Sequence, residues 1–317
     1  MADERKIKGI DSIFSATPNN EIQDSLVEFL NWGLLEKGNY FNVTLGELST
    51  DNVDYSKLKL ADHPYLLPGQ AWEGFRKNWV WQSGVDYSPA PLVSSDPNYP
   101  GVSGVYVDSV FHPTSGTGTY AHQIDHFNGR VIFDNPIPTG SLVQAEYSYK
   151  YINVIYSENL PYLRELQKNS LEVDKQTPLV PPEMRVQLPA IAVEIVPRRN
   201  FRGYQLGGGQ YIYTDVLFHC LAEDAYTRNK LVDIVSMQNE KSVWLLDSDE
   251  IAENDAFPID HFGYARPNAL RYPDLTAQYS DNTITFTKNM VQNLDVFDGS
   301  FYAGIVRSTI ELIQTNI

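Results

Sequence analysis

Residues 203–238 read GYQLGGGQYIYTDVLFHCLAEDAYTRNKLVDIVSMQ, and this stretch decides the fold. The glycine triplet at 207–209 interrupts a polar run and predicts a hairpin or loop with at least one positive φ. The β-branched and aromatic run Tyr211–Cys220 predicts a strand, and the charged, amphipathic run Glu223–Met237 predicts a helix. No catalytic pattern stands at the turn between them. The stretch therefore indicates a structural element that packs a sheet.

The predicted helix should place Leu231, Ile234 and Val235 against that sheet, with Arg228–Lys230 facing outwards. Another strand is predicted over Ala190–Val196. The basic segment PRRNFRGYQLGGG joins it to the strand Tyr211–Cys220. This segment has little apolar content, so we expect neighbouring molecules to order it. The predicted core is thus strand, hairpin, strand and helix.

An amphipathic helix is predicted near the start of the chain, over residues 21–37, EIQDSLVEFLNWGLLEK. Its apolar residues follow helical spacing, Asn20 can cap its start and Gly38 can end it. Residues 39–100 are rich in Pro, Tyr and Trp but lack periodicity. Burial of Trp72, Trp79 and Trp81 should anchor this stretch, either in the core or at an interface.

Between Gly104 and Glu158 the pattern becomes strongly β. Asn128-Gly129 is a hairpin signal, and the following Arg130–Phe133 is predicted to be a strand. Leu142–Tyr156 alternates as one long strand. This block is predicted to be a small sandwich or barrel.

The predicted fold class is therefore α+β with β dominant: a strand-hairpin-strand-helix core plus a small β-sandwich or barrel module. Four segments are expected along the chain: an N-terminal helix with an aromatic-rich extended segment (1–100), the small β module (101–159), a helix with a Pro-rich linker (160–185) and an α+β ring-forming domain (186–317).

Charge and cysteine content exclude several function classes. The net charge of −16 leaves no basic footprint for gripping nucleic-acid phosphates. Solubility explains the acidity, which also suits a surface past which DNA slides. The single cysteine, Cys220, excludes an intrachain disulfide and a Cys-rich zinc site, and its apolar strand predicts a buried thiol. No secretory signal or membrane span is recognisable, so a soluble protein made in a reducing cytoplasm is expected.

No motif predicts a catalytic, cofactor-binding or metal-binding residue. The cluster His112, His122, Asp125 and His126 could hold a metal, but hairpin signals surround it and loop histidines are expected instead. The glycine triplet lacks the Lys-Ser/Thr of a phosphate loop, and the DSDE run at 247–250 is expected to be a solvated turn. The sequence does not decide whether two carboxylates are paired for glycoside hydrolysis, because sequence spacing does not report spatial separation.

The strongest candidates for contact with other proteins lie in two groups. The first is the basic segment and its turn, where the interface candidates are Arg198, Arg199, Arg202, Gly207, Gly208 and Gly209. The second is the tryptophan trio of residues 72, 79 and 81. The arginines either keep a hairpin tip solvated or contact an acidic neighbour, which could be a second copy of the chain.

The stretch 190–238 resembles the core of neck and tail-completion proteins of tailed bacteriophages, especially the tail-terminator type. In that family a strand, an extended hairpin, a returning strand and a helix build the wall of a ring. Arg228, Leu231, Asp233 and Ile234 match the pattern of that helix. The helix Ile22–Leu35 resembles the one that opens such domains, whereas the inserted β module is a departure.

The resemblance implies a homo-oligomeric ring, commonly six-fold, around a channel that passes DNA without binding it specifically. It implies other neck or tail proteins as partners, a virion location after assembly in the host cytoplasm, and no membrane, catalysis or cofactor. Two rivals stay open. One is a baseplate or fibre-attachment protein, and the other is a glycan-binding or glycan-acting β-sandwich in which the three tryptophans stack on sugar.

Overall fold

The computed structural model describes most of the 317-residue chain, namely residues 12–62, 65–96, 98–157, 186–205, 208–257, 259, 263–266, 268–298 and 301–314. Strands far outweigh helices among the described residues, which confirms the β-dominant α+β class. The predicted helix and linker at 160–185 lie outside the described residues.

Within the described ranges the helices are α1 (Pro18–Leu35), α2 (Ala225–Ser236), α3 (Ser248–Glu253) and α4 (Tyr272–Gln278). The strands are β1 (Tyr40–Val43), β2 (Lys59–Leu60), β3 (Ala71–Glu73), β4 (Gly104–Val107), β5 (Val110–Pro113), β6 (His122–Asp125), β7 (Arg130–Phe133), β8 (Val143–Ala145), β9 (Tyr147–Lys150), β10 (Asn153–Ser157), β11 (Ala190–Gln205), β12 (Gly208–Ala222), β13 (Ser242–Leu245), β14 (Asn282–Asp298) and β15 (Phe301–Gln314).

The chain forms two compact units, and both are discontinuous in sequence. Unit 1 comprises Met1–Trp32, Ile152–Glu253 and Tyr272–Ile317. Unit 2 comprises Gly33–Tyr151 and Asn254–Arg271. These bounds differ from the four consecutive segments expected from the sequence.

A six-stranded sheet with the order β10-β11-β12-β15-β14-β13 forms the frame of unit 1. Every neighbouring pair is antiparallel except β10 with β11. Helix α2 packs against β12, β14 and β15. The predicted strand and helix are thus both present, and the strand is longer than the run Tyr211–Cys220.

Alternation in β12 explains how this sheet buries one face. Side chains at every second position, from Ile212 through Val216 to Cys220, are buried, and so are Val306 and Ile310 of the adjacent β15. Because strand side chains alternate in direction, these residues line one face beneath α2. Burial raises the pKa of the Cys220 thiol, as expected for a core residue rather than a nucleophile.

Helix α1 begins three residues earlier than predicted. Pro18 occupies the first helical position, where its missing N–H costs no intrahelical bond. Asn20 does not cap the helix; its side chain instead accepts hydrogen bonds from the backbone N–H and hydroxyl of Thr17. Gly38 has φ +81° and its N–H bonds the carbonyl of Leu35, so the predicted glycine stop is confirmed.

The described residues of unit 2 form three small sheets, with the orders β2-β3-β7-β6, β5-β4-β8 and β1-β9. They share one hydrophobic core in which Trp79 stacks on Tyr147 with ring centroids 4.2 Å apart. The predicted hairpin at Asn128-Gly129 joins β6 to β7, and Gly129 has φ +63°. A small β module is therefore confirmed, although β1–β3 extend it well before residue 101.

The single long strand predicted over Leu142–Tyr156 is wrong. The segment is divided among β8, β9 and β10, which belong to three different sheets. Its alternation persists locally, since Val143, Ala145 and Tyr147 are buried. The breaks fall at Glu146, whose carboxylate accepts the backbone N–H of Leu45, and at residues 151–152.

Candidate interaction surface

The strands β11 and β12 form a hairpin that runs from the pair Ala190 and Leu221 to the pair Gln205 and Gly208. We call its outer half, residues 199–205 and 208–214, the arm. Gly209 lies beside the turn with φ +84°, which confirms the predicted positive φ in the triplet. Gly207 lies outside the described residues.

Aromatic contacts order the arm from within. Tyr204 meets Tyr211 across the two strands with ring centroids 5.2 Å apart, and Tyr211 stacks on Tyr213 at 6.1 Å. The guanidinium of Arg202 lies 5.6 Å from the Tyr213 ring centroid. Such cross-strand pairs stabilise a sheet, so the arm has aromatic contacts of its own. The expectation that neighbouring molecules order this segment stays a prediction.

Despite these aromatic contacts, side chains of β11 in the arm are exposed. Asn200–Tyr204 is an exposed run, with Phe201 53% and Tyr204 37% exposed. The predicted basic patch lies here: Arg202 is exposed, and the backbones of Arg198 and Arg199 lie at an irregularity where the pairing of β11 with β12 shifts register. The arm therefore presents tyrosine, phenylalanine and arginine together at the surface.

The polar face of the sheet continues from the arm onto β15. Asp215 of β12 accepts hydrogen bonds from the Arg307 guanidinium and, at 2.8 Å, from the Thr309 hydroxyl. A hydrogen bond to the Glu311 carboxylate raises the pKa of the Tyr213 hydroxyl. Charges of both signs are thus paired within the chain on this face.

Two outer edges of the six-stranded sheet are open within the described ranges. Strand β10 pairs with β11 only along residues 190–194, which leaves the outer edge of β11 open from Ile195 to Gln205. On the opposite side, β13 pairs with β14 only along 282–285, and the outer edge of β14 is open from Thr287 to Asp298. Met290 and Val291 on that edge are 46% and 45% exposed.

The three tryptophans proposed as interface candidates are buried in the chain itself. Trp72, Trp79 and Trp81 are 3%, 1% and 4% exposed. The indole N–H of Trp72 bonds the carbonyl of Gly69, and that of Trp79 bonds the carbonyl of Arg76. Their burial corrects the interface assignment and leaves no exposed ring faces for sugar stacking.

Two histidines of unit 2, His122 and His126, are also buried rather than exposed in loops, whereas His112 is partly exposed. His122 donates from Nδ1 to the carbonyl of Tyr120 at 2.9 Å, and His126 donates from Nδ1 to the carbonyl of Gly263 at 3.1 Å. Burial lowers the pKa of both imidazoles, that of His126 to about 4. Both rings are therefore neutral at physiological pH, with a lone pair on Nε2.

A cavity of about 490 Å³ lies beside these histidines. Its lining includes Tyr99, Thr114 and Tyr264 as well as both imidazoles. The Nε2 atoms are themselves covered, and neither has a hydrogen-bond partner among the described residues. In the described part of the chain no three His, Cys, Asp or Glu side chains are arranged to hold a metal ion.

A carboxyl cluster near the start of α1 was not foreseen. Asp249 accepts the backbone N–H of Ala16 at 2.6 Å, and Asp24 accepts the Ser248 hydroxyl at 2.6 Å. Burial, assisted by Asp247 and the other carboxylates, raises the pKa of Glu21 to about 7. More than 220 residues separate the partners, so no local pattern could have indicated this cluster.

Helix α2 differs from its prediction at two positions of the resembling pattern, since Ile234, predicted to be buried, is only half-buried while Val232 is buried instead. Leu231 and Val235 are buried as predicted, and Asn229 and Lys230 are exposed. Arg228, expected to face outwards, is instead buried, and its guanidinium lies 5.9 Å from the ring centroid of Tyr302. Its Nε donates to Asn229 Oδ1 at 2.9 Å.

No protein-family model matches this chain, and no curated protein matches it. None of the helices in the described ranges is long and apolar enough to span a membrane.

Proposed function

We propose that this chain is a virion structural protein of a tailed phage, acting in the neck or at the head–tail junction as a ring component of the tail-terminator type. Its role is assembly, without catalysis or a cofactor. The observation that supports this proposal is the arm, an ordered hairpin whose exposed surface is built from Phe201, Arg202 and Tyr204. An exposed arm of this composition suits contact with another protein.

The chemistry of the arm favours protein contact over solvation alone. Tyrosine and arginine dominate the binding energy of many interfaces because they combine apolar area with a polar end. The rings of Tyr204, Tyr211 and Tyr213 already contact one another within the single chain. A surface that is already ordered loses less conformational entropy on binding.

The charge balance also supports the proposed place at the neck or head–tail junction. The arm contributes Arg199 and Arg202 to a chain whose net charge is −16. A positive patch meeting an acidic surface on an adjacent copy would orient assembly. The remaining acidic surface would repel phosphate, as a DNA channel that must not retain DNA requires.

The two rival functions fare differently. A baseplate or fibre-attachment role would use the same arm with other partners. The glycan-stacking role depended on Trp72, Trp79 and Trp81, and their burial removes its basis. We therefore retain the assembly function.

A charge-reversal experiment tests the proposal. The variant Arg198→Glu, Arg199→Glu, Arg202→Glu should remain folded but fail to form rings, measured by mass photometry, and fail to enter particles. A matched control reverses three exposed lysines elsewhere: Lys59→Glu, Lys230→Glu, Lys241→Glu. This control changes the net charge equally and should assemble.

Two results would contradict the proposal. One is normal assembly of the arginine variant, measured alongside the control. The other is a wild-type chain that stays monomeric within purified particles, or that is missing from them.

A further inference from the structure

A row of aromatic side chains crosses the surface of unit 2. Phe41 of β1 and Tyr149 of β9 are register partners, and their ring centroids lie 5.6 Å apart. Tyr151 meets Phe41 edge to face at 5.7 Å. On the other side of Tyr149, Phe75 lies at 6.3 Å and stacks on Tyr55 at 3.8 Å. We call these five side chains the aromatic row.

The aromatic row is anchored in the core but exposed at the surface. Tyr55 and Tyr149 pack against the hydrophobic core of unit 2. The other three rings, those of Phe41, Phe75 and Tyr151, are 51%, 44% and 38% exposed. Contiguous exposed apolar side chains mark contact sites, whereas singly scattered ones need no explanation.

A buried hydroxyl supports the stacked pair in this row. The Oη atom of Tyr147 donates to the backbone carbonyl of Tyr55 at 3.0 Å and accepts the backbone N–H of Phe75 at 3.2 Å. Tyr147 is fully buried, and its ring stacks on that of Trp79. The backbones that carry the stacked rings are therefore joined through the core.

The stack continues onto a guanidinium. Arg76 Cζ lies 5.2 Å from the Phe75 ring centroid. Because Tyr55 already covers one face of Phe75, the guanidinium lies over the other face. Within the described ranges no carboxylate pairs with Arg76, whereas the nearby Lys57 is paired with Asp54 at 3.5 Å. A guanidinium stacked on a ring keeps its N–H edge available for a planar anion such as a carboxylate.

Charge and size limit what the aromatic row can bind. Burial raises the pKa of the Tyr149 hydroxyl while Arg76 acts to lower it, so the positive charge is felt along the row. Single-stranded nucleic acid needs a track of cations along its phosphates, which one unpaired guanidinium does not supply. A stable protein interface uses about 20–30 residues a side, far more than three exposed rings and one arginine. A small ligand with apolar faces and a carboxylate meets both limits.

We propose that the aromatic row and Arg76 form a binding site for an acidic oligosaccharide, with a carboxylate on the guanidinium and sugar C–H faces on Phe41 and Tyr151. The C–H bonds on one side of a pyranose form an apolar face, and the negative face of an aromatic ring attracts their weakly positive hydrogens. A carboxylate accepts two parallel N–H bonds from arginine. This site is separate from the buried tryptophans, and it goes beyond the proposed assembly role without resting on it.

Calorimetric titration of the purified full-length chain with trigalacturonate tests the site. The acidic trimer should bind, and its methyl ester, which has the same sugar rings without their charges, should bind about tenfold more weakly or worse. Arg76→Gln should weaken binding of the acid by a similar factor. Arg76→Lys should restore only part of it, because an ammonium lacks the planar fork. Added salt should weaken binding of the acid, since the site is exposed.

Matched variants control for general effects of substitution. Phe41→Ala should reduce the saturation transferred from the protein to the sugar ring protons in ligand-detected NMR. Phe111→Ala removes a ring that is 43% exposed on β5, outside the aromatic row, and should behave like the parent. Lys241→Gln removes an exposed cation of unit 1 and should leave the affinity for trigalacturonate unchanged.

Several results would overturn the site. One is no binding at millimolar concentration of either trigalacturonate or a hyaluronate oligomer, which carries glucuronate instead. Others are equal affinity for the acid and its ester, or unchanged binding by both Arg76→Gln and Phe41→Ala. Protection of the three exposed rings from hydroxyl-radical oxidation when copies associate, with no saccharide added, would assign the aromatic row to a protein contact instead. Failure of ring assembly would leave the saccharide result unaffected, so the two proposals fail separately.

Discussion

The Nδ1 atom of His126 donates a hydrogen bond to the backbone carbonyl of Gly263, which lies 137 residues later in the chain. The same carbonyl accepts the backbone N–H of His126 at 2.8 Å. On its other side, the imidazole Nε2 lies so close to Gly101 that a Cβ there would approach to 2.1 Å. The ring is thus enclosed on both sides by backbone.

Acid should therefore destabilise the protein through His126. Its folded-state pKa of about 4 is lower than the ordinary value near 6.5, chiefly through burial and further through Lys150. Between these values the unfolded chain binds more protons, so stability is lost as pH falls from about 6.5 to 4. At about 1.4 kcal/mol per pKa unit, the loss amounts to a few kcal/mol. Thermal melts across this pH range measure it.

The variant His126→Asn should weaken that acid-dependent loss, because no imidazole remains to be protonated. His112→Asn, at a partly exposed ring in the same unit, is the control and should melt like the parent. Parallel pH profiles for the His126 variant and the parent would refute the assignment.

Glu21 should act in the opposite direction. Because burial and neighbouring carboxylates raise its folded-state pKa to about 7, the folded protein holds its proton more tightly than the unfolded chain. Stability from this group is lost as pH rises from about 4.5 to 7. The variant Glu21→Gln should melt at a higher temperature than the parent at pH 8 and lose this advantage near pH 4.5. An exposed carboxylate on α3, changed as Glu253→Gln, should show no such crossover.

Truncation of Leu231 should test the packing of α2. Its side chain is fully buried against the sheet, so Leu231→Ala leaves a cavity and should cost roughly 2–5 kcal/mol of unfolding free energy. Denaturant titration measures the loss. Lys230→Ala, one position earlier and exposed, should change stability little. Equal midpoints for the two variants would show that α2 does not pack as described.

Gly209 should resist substitution while Gly203 tolerates it. At Gly209 the φ of +84° is unfavourable for any side chain, and a Cβ would lie 3.1 Å from the carbonyl oxygen of Gln314. Gly209→Ala should therefore cost about 1 kcal/mol or more. A Cβ at Gly203 meets nothing within 4 Å, and this matched variant should melt close to the parent. A neutral Gly209→Ala would contradict the turn geometry.

Local patterns were sufficient for the elements that depend on local forces. The alternation in Tyr211–Cys220, the helix period around Leu231 and the Asn128-Gly129 turn each predicted the observed element. Gly209 and Gly38 were predictable because a left-handed backbone favours glycine whatever surrounds it. The fold class follows from these elements together.

Contacts between distant segments limited the rest. The alternating run from Leu142 to Tyr156 could not reveal its division among three sheets, since each break depends on which partner strand is adjacent. Arg228 was expected to be solvated because periodicity does not report an aromatic ring such as Tyr302 beneath a helix. Of the candidate surface, the sequence indicated the arginines, whereas the open edges depend on the lengths of β10 and β13.

The discontinuous units have a consequence for how this protein can be divided. The chain leaves unit 1 after Trp32, returns at Ile152, leaves again after Glu253 and returns at Tyr272. No single cleavage can release either unit as a free polypeptide. A fragment covering only 186–317 would lack both α1 and β10, exposing apolar surface and a new sheet edge that invite aggregation. Gene-level exchange of unit 2 would likewise require two coordinated replacements, which ties the evolution of its two segments together.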